Sequence, residues 1–271
     1  MEVVRLAILV LLALGGVAWA KGWPTPAAGE SASGDPEILF TFDDGPSPTT
    51  TPKILDTLAK YKIHAVFFMV GEMVDGGNKK VPALVQRILR EGHVIANHTE
   101  HHKDLCRVKA DETAAADIDD GRAAIEKVSG LSLAWFRTPY GARCKRVEEL
   151  LAERGLTHFH WDLDPQEWKH NDPQKAFDYV TGSLARTHNR NVLLMHDIKT
   201  ATVKALPEIL EWIVAENKRR AESTQRPIRP IRIVQAPMYA AEQLPKGFAA
   251  WAVDAKARLT GFRGAIASVL P

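Results

Sequence analysis

Thr41-Phe42-Asp43-Asp44-Gly45-Pro46 decides the fold of this chain. Ile38, Leu39 and Phe40 precede it, a short apolar run of the kind that forms a buried strand. Two carboxylates then stand side by side where that strand ends, and Gly45 and Pro46 break the chain at once. Adjacent acids at the tip of a buried strand are costly unless something positive holds them. A metal ion, an arginine or both would do so. Asp-Asp-Gly-Pro is also good chemistry for a solvated turn, so the neighbouring stretches must decide.

Downstream, buried-strand patterns alternate with helical ones. Ala65–Val70, His93–Ala96, Leu131–Phe136, Thr157–Trp161, Asn191–Met195 and Ile231–Val234 read as further strands. Between them, helical spacing covers Ile54–Ala59, Val81–Leu89, Asp111–Val128, Val147–Leu151, Gln174–Arg186 and Val203–Val214. Thr51-Pro52 offers an N-cap with proline at the first helical position, and Gly92 and Gly155 close two of the helices. Continuous apolar strands separated by helices mean parallel β-structure. The expected class is α/β, an irregular (β/α) barrel of about seven parallel strands. Polar clusters at Asp43-Asp44, Asn97–His102, Arg137–Gly141, Asp162–Trp168 and His196-Asp197 each follow a strand directly. A barrel gathers such points on one face, where active sites sit, whereas a doubly wound sheet gathers only those near its switch point.

The chain has 271 residues and a net charge of +2, and nothing in it asks for nucleic acid or an anionic membrane. Leu6–Val17 is apolar and Ala18-Trp19-Ala20 fits a small-x-small cleavage site, so residues 1–20 read as a signal peptide. The run is short for a spanning helix, and no stable membrane span is expected after cleavage. Residues 21–36, rich in Gly, Pro, Ser and Ala, read as a linker, and 37–235 as the folded domain. In 236–271, Phe248, Trp251, Ala255, Leu259, Phe262, Ile266 and Val269 recur at helical spacing, a helical extension. Only Cys106 and Cys144 are present, and one disulfide is the natural expectation in an exported chain.

Asn97-His98-Thr99-Glu100-His101-His102 places His98 and His102 at i,i+4, on one face if the segment is helical. Two imidazoles and a carboxylate form an open zinc set, and Asp44 is a candidate third ligand. The H-E-x-x-H pattern is not met, because Thr99 stands where its glutamate belongs, and His101 is assigned to the surface. Arg137 lies at a strand tip before a rigid turn, Thr138-Pro139-Tyr140-Gly141. Trp161–Trp168 carries three acids and two tryptophans suited to sugar faces, and Leu193–His196 ends a buried strand on histidine.

Taken together, these five motifs resemble, in order, those of the polysaccharide deacetylases, the NodB homology domain of carbohydrate esterase family four. The resemblance covers roughly Glu37 to Val234. It implies that Asp44, His98 and His102 bind a divalent metal, most often zinc, and that Asp43 is the general base, held ionised by Arg137. It implies His196 as general acid, the Tyr140 backbone amide as an oxyanion donor beside Pro139, and Trp168 and Leu194 as the acetyl pocket. The family's fourth motif usually ends Asp-Trp; here it ends Glu167-Trp168, which leaves Glu167 or Asp164 to support His196. The implied activity is removal of N-acetyl groups from an extracytoplasmic polysaccharide by an exported, periplasmic or secreted enzyme. Peptidoglycan, chitin and poly-N-acetylglucosamine are the candidate substrates. The alternatives are an O-acetyl xylan esterase, a small-amide hydrolase, or a carbohydrate-binding relic without catalysis.

Overall fold

The computed structural model describes residues 35–223 and 228–236. The stretches read as a signal peptide (1–20), most of the linker (21–36) and all but the first residue of the expected C-terminal extension (236–271) lie outside the described residues. Seven strands form one sheet: β1 (Glu37–Asp43), β2 (Val66–Met69), β3 (Val94–Asn97), β4 (Trp135–Phe136), β5 (Thr157–His158), β6 (Arg190–His196) and β7 (Arg232–Ile233). Every pairing is parallel, in the order β5-β4-β3-β2-β1-β6, with β7 also on β1. The sheet curls, and a parallel bridge from Leu163, beyond β5, to Leu193 of β6 brings its two ends together. The expected irregular (β/α) barrel is therefore observed.

Alternation along β1 sets up the site. Ile38, Phe40 and Phe42 point outward into the main core under the helices, whereas Leu39 joins a second cluster with Val66, Phe68, Ala96, Phe159 and Val192. By the period of two, Thr41 and Asp43 share the Leu39 side, the barrel interior. β1 is central and buried at all seven positions. β6 runs beside its whole length and sets Asp43 opposite His196. Glu37 anchors the other end of β1, accepting from Arg190 Nε at 2.5 Å and pairing with Arg232.

The outer layer comprises α1 (Thr51–Lys60), α2 (Gly71–Asp75), α3 (Val81–Arg90), α4 (Asp111–Ser129), α5 (Lys145–Glu153), α6 (Glu167–His170), α7 (Pro173–Arg186) and α8 (Thr200–Ala221). Ile54, Leu55 and Leu58 of α1, Leu84, Val85 and Ile88 of α3, and Leu206, Ile209, Leu210 and Ile213 of α8 bury the expected stripes. β4 and β5 are only two residues each, shorter than their apolar runs. Leu133 and Phe159 lie buried in the cores just outside the two-residue strands, although the Phe159 N–H still donates to the Phe136 carbonyl at 2.7 Å, so burial explains their hydrophobicity. The cap expected of Thr51 also differs: Thr51 lies inside α1 and Thr50 takes the cap position without a side-chain bond. The Thr51 hydroxyl instead donates to Asp197 Oδ2 at 2.5 Å and accepts from the Ser47 N–H at 2.8 Å.

Candidate active site

Five loops leaving the carboxyl ends of the strands meet at a pocket lined by Asp43, Asp44, His98, His102, Thr138, Tyr140, Trp161, Asp164, Trp168, Leu194, His196 and Lys199. Asp44, His98 and His102 each offer one ligand atom, and the three atoms lie within 4.8 Å of one another. Asp44 Oδ1 is 3.5 Å from His98 Nε2 and 3.2 Å from His102 Nε2. The histidines do not share a helical turn, as the i,i+4 spacing suggested. Residues 98–102 are a loop in which Thr99 has φ 70° and His102 φ 52°. The Thr99 N–H donates to Asn97 Oδ1, and the His102 N–H donates to the Thr99 hydroxyl, a local network that replaces helical bonding. α4 presses on this loop at Gly121. A Cβ there would stand 2.4 Å from the Thr99 carbonyl carbon, so only glycine permits the approach.

The donor set fits a divalent cation on two further observations. His98 Nδ1 lies 2.7 Å from the Arg137 carbonyl, which can only accept, so the neutral ring carries its proton there and presents a bare Nε2 to Asp44. Asp44 Oδ1 is buried and makes no hydrogen bond among the described residues. Burial pushes the Asp44 carboxyl up, but the adjacent imidazoles of His102 and His98 more than reverse this and hold it well below the usual carboxylate range. His101, assigned to the surface, has a half-exposed side chain whose Nδ1 lies 2.6 Å from the buried Asp117 carboxylate.

Asp43 stands beside the three. Its Oδ1 accepts from Arg137 Nη1 at 2.7 Å, and its Oδ2 faces His98 Nε2 at 3.6 Å. The Arg137 side chain is wholly buried, its guanidinium carbon 4.0 Å from the Phe68 ring centroid. Its remaining donors reach Thr41 Oγ1 and the carbonyls of Phe159 and His160. Burial pulls the guanidinium down and the Asp43 charge opposes that. Thr41 was not singled out in the sequence; its hydroxyl accepts from Arg137 and donates to the Leu193 carbonyl, fixing the guanidinium between β1 and β6.

On the opposite wall, His196 Nδ1 lies 2.9 Å from Glu167 Oε1, which also accepts from the His196 backbone N–H and the Thr202 hydroxyl. Glu167 is completely buried. Burial would lower the His196 pKa, but the Glu167 bond and charge win and lift it to about 9. Glu167, and not Asp164, is thus the partner of His196. Asp164 accepts from the Gln166 N–H at 2.8 Å; burial raises its pKa and a Trp168 contact opposes the rise. Leu194 and Trp168 line the pocket as expected. Pro139 is buried at the start of a 3-10 turn and does not line it, whereas Tyr140 is exposed at the lip with φ 60°. Cys106 and Cys144 are joined in a disulfide with Cα atoms 6.0 Å apart, linking the histidine loop to the arginine loop.

Among the described residues, five of the seven non-glycine residues with positive φ lie in these loops: Asp44, Thr99, His102, Tyr140 and Gln166. Strained backbone held by its surroundings gathers at functional sites.

A curled parallel barrel with acids and imidazoles at its carboxyl-terminal mouth has the layout of barrel enzymes. Residues 30–159 match the polysaccharide deacetylase family model. Over 174 residues the chain is 36% identical to the peptidoglycan-N-acetylmuramic acid deacetylase PdaC of Bacillus subtilis, a match covering 64% of this chain and 35% of that protein. It is 34% identical over 167 residues to a chitooligosaccharide deacetylase of Sinorhizobium fredii, covering 62% of this chain and 74% of that one. The solved structure of PdaC superposes with a TM-score of 0.62 at 29% identity, over 83% of this chain and 98% of that chain. The chain belongs to the polysaccharide deacetylase family, the NodB-type domain of carbohydrate esterase family four.

Proposed function

We propose that the protein is an exported, metal-dependent hydrolase that removes N-acetyl groups from an extracytoplasmic polysaccharide. The observation that carries this reading is the placing of two differently supported proton carriers, Asp43 on Arg137 and His196 on Glu167, across one ligand triad. A divalent ion, zinc by the usual preference for two imidazoles and a carboxylate, supplies a Lewis acid and acidified water when bound to Asp44, His98 and His102. Asp43 takes the proton of the attacking water on Oδ2, the oxygen that Arg137 leaves free. The Tyr140 backbone amide donates to the developing oxyanion. His196 then hands a proton from Nε2 to the departing amine, because Nδ1 is committed to Glu167. Leu194, Trp161 and Trp168 give the acetyl methyl and sugar ring apolar walls.

An intact base, acid and triad speak against a binding relic. O-acetyl ester hydrolysis needs no strong general acid, because an alkoxide leaves more readily than an amine anion. An imidazole held by the buried Glu167 carboxylate on the pocket wall, placed to hand a proton to an amine, therefore favours amide cleavage. Acetate release from N-acetylglucosamine oligomers, peptidoglycan and acetylated xylan by the same preparation tests the reading; release from xylan alone would overturn it. Among the described residues, no helix is long and apolar enough to cross a membrane.

A further inference from the structure

Thr138 stands between the two working residues of the arginine motif. Before it, Arg137 gives its guanidinium to Asp43 and its carbonyl to His98. After it, Tyr140 stands at the pocket lip, its ring centroid 4.8 Å from that of His102. Tyr140 has φ 60° and ψ 9°, a left-handed backbone that a non-glycine residue keeps only where its surroundings impose it. Thr138 precedes this turn without capping it. It borders the pocket, yet its hydroxyl is turned elsewhere. By the period of two, Arg137 shares the barrel interior with Trp135, and Thr138 shares the outer side with Phe136, which packs on Val147 and Leu151 of α5. There Thr138 Oγ1 lies 3.0 Å from His158 Nε2, and His158 Nδ1 lies 2.8 Å from Glu148 Oε1. Thr138 is wholly buried and His158 nearly so.

The protons of this chain run one way. Burial pushes the Glu148 carboxyl up, but the His158 bond and charge and the Arg143 guanidinium outweigh it, so Glu148 is a carboxylate and can only accept. His158 Nδ1 therefore carries the proton, Nε2 is bare, and the Thr138 hydroxyl donates to it. Burial lowers the His158 pKa; Glu148 opposes this, Arg143 and Arg137 reinforce it, and the ring stays neutral. A hydroxyl, an imidazole and a carboxylate in this order can also make a nucleophile. Here the hydroxyl is shut under α5, which suits a brace. We propose that Glu148, His158 and Thr138 are positioning residues that pin the turn after β4 to β5 and α5, so that the Tyr140 amide faces the developing oxyanion. This rests on the deacetylase reading. None of the three is assigned contact with substrate; they act through Tyr140.

The test uses the full chain, acetate release from N-acetylglucosamine oligomers, and nuclear magnetic resonance of protein carrying 15N-tyrosine. Tyr140 is one of four tyrosines, and Tyr140→Phe assigns its amide signal. Thr138→Val keeps the shape of the side chain and removes the hydroxyl. It is expected to shift the Tyr140 signal and to lower kcat about tenfold, less than the roughly hundredfold that an ångström of misplacement can cost. KM should barely move, because an oxyanion donor acts in the transition state. Thr138→Ser restores the hydroxyl and should recover both the signal and kcat. Glu148→Ala should repeat Thr138→Val, and the double variant should lose no more than either single, as members of one relay do. Glu149→Gln, the next residue on α5 and paired with Lys145, should change neither. Metal content should stay constant throughout. An unchanged kcat in Thr138→Val, a loss carried by KM, or no recovery in Thr138→Ser would overturn the inference. Metal lost from Thr138→Val would move the effect to His98 through the Arg137 carbonyl and would overturn it too. Should Thr138→Val fail to fold, Glu148→Ala carries the same comparison. Absence of acetate even from the wild type would count against the deacetylase reading, and the Tyr140 signal would still decide the brace: unmoved in Thr138→Val, it overturns it.

Discussion

Glu167 Oε1 receives three hydrogen bonds from β6 and α8, and one of them sets the charge of His196. The folded pKa of His196 is raised to about 9, so its acid form is present below that value and is lost as pH rises through it. Activity should therefore fall on the alkaline side in that region. Glu167→Gln removes the charge and should move the alkaline limb of kcat/KM to lower pH, while Glu167→Asp restores the family's usual residue and should be mild. A pH–rate profile checks both, and an alkaline limb unmoved in Glu167→Gln would show that another group sets it. Asp164→Asn should leave that limb in place, because Asp164 bonds its own turn. Arg137→Ala removes one partner of a fully buried ion pair and should cost about 3–5 kcal/mol of stability, read from denaturant unfolding. A surface arginine such as Arg107 should cost under about 1 kcal/mol in the same assay. The sequence showed Asp43 and Arg137 as types at strand ends. It could not show the Thr41 hydroxyl that fixes the guanidinium, because a threonine in an apolar strand reads as ordinary β-chemistry.

At the level of elements, two devices shape the mouth of the barrel. The first is α4 against the histidine loop, with Gly121 at the contact. Gly121→Ala should push the loop away, lowering metal content and activity together; unchanged metal affinity would show that the loop tolerates the shift. The periodicity of α4 was legible in the sequence, but not the reason for its glycine, because close approach is a tertiary fact. The same limit explains the misread geometry of His98 and His102. Spacing at i,i+4 suits a helix, yet the loop meets the same requirement through left-handed Thr99 and His102 and the Asn97 side chain. The second device is the disulfide. Closing a 38-residue separation is worth about 4 kcal/mol in the chain-entropy model. Replacing both cysteines by serine should lower Tm, and it should raise KM more than it lowers kcat, since the bond ties two loops around the pocket without touching Asp43 or His196.

Across the whole molecule, strand–helix alternation and five polar clusters sufficed to read a parallel barrel with one functional face, because buried parallel strands carry an unbroken apolar signal. Strand lengths were less legible. Leu133 and Phe159 are apolar because they are buried, and Trp161 because it lines the pocket, and composition does not separate those causes from strand pairing. The order of strands, with β1 between β2 and β6, also lay beyond the sequence, although it is what brings Asp43 beside His196. The proposed function rests on Asp44, His98 and His102, whose ligand atoms lie within 4.8 Å of one another, being able to hold a divalent ion. Elemental analysis of the purified chain, beside its His98→Ala and Asp44→Asn variants, measures this directly. About one divalent ion per chain is expected in the wild type, with most of it lost in each variant while the far-ultraviolet circular dichroism of the barrel is retained. Metal content unchanged in folded His98→Ala would contradict the assignment.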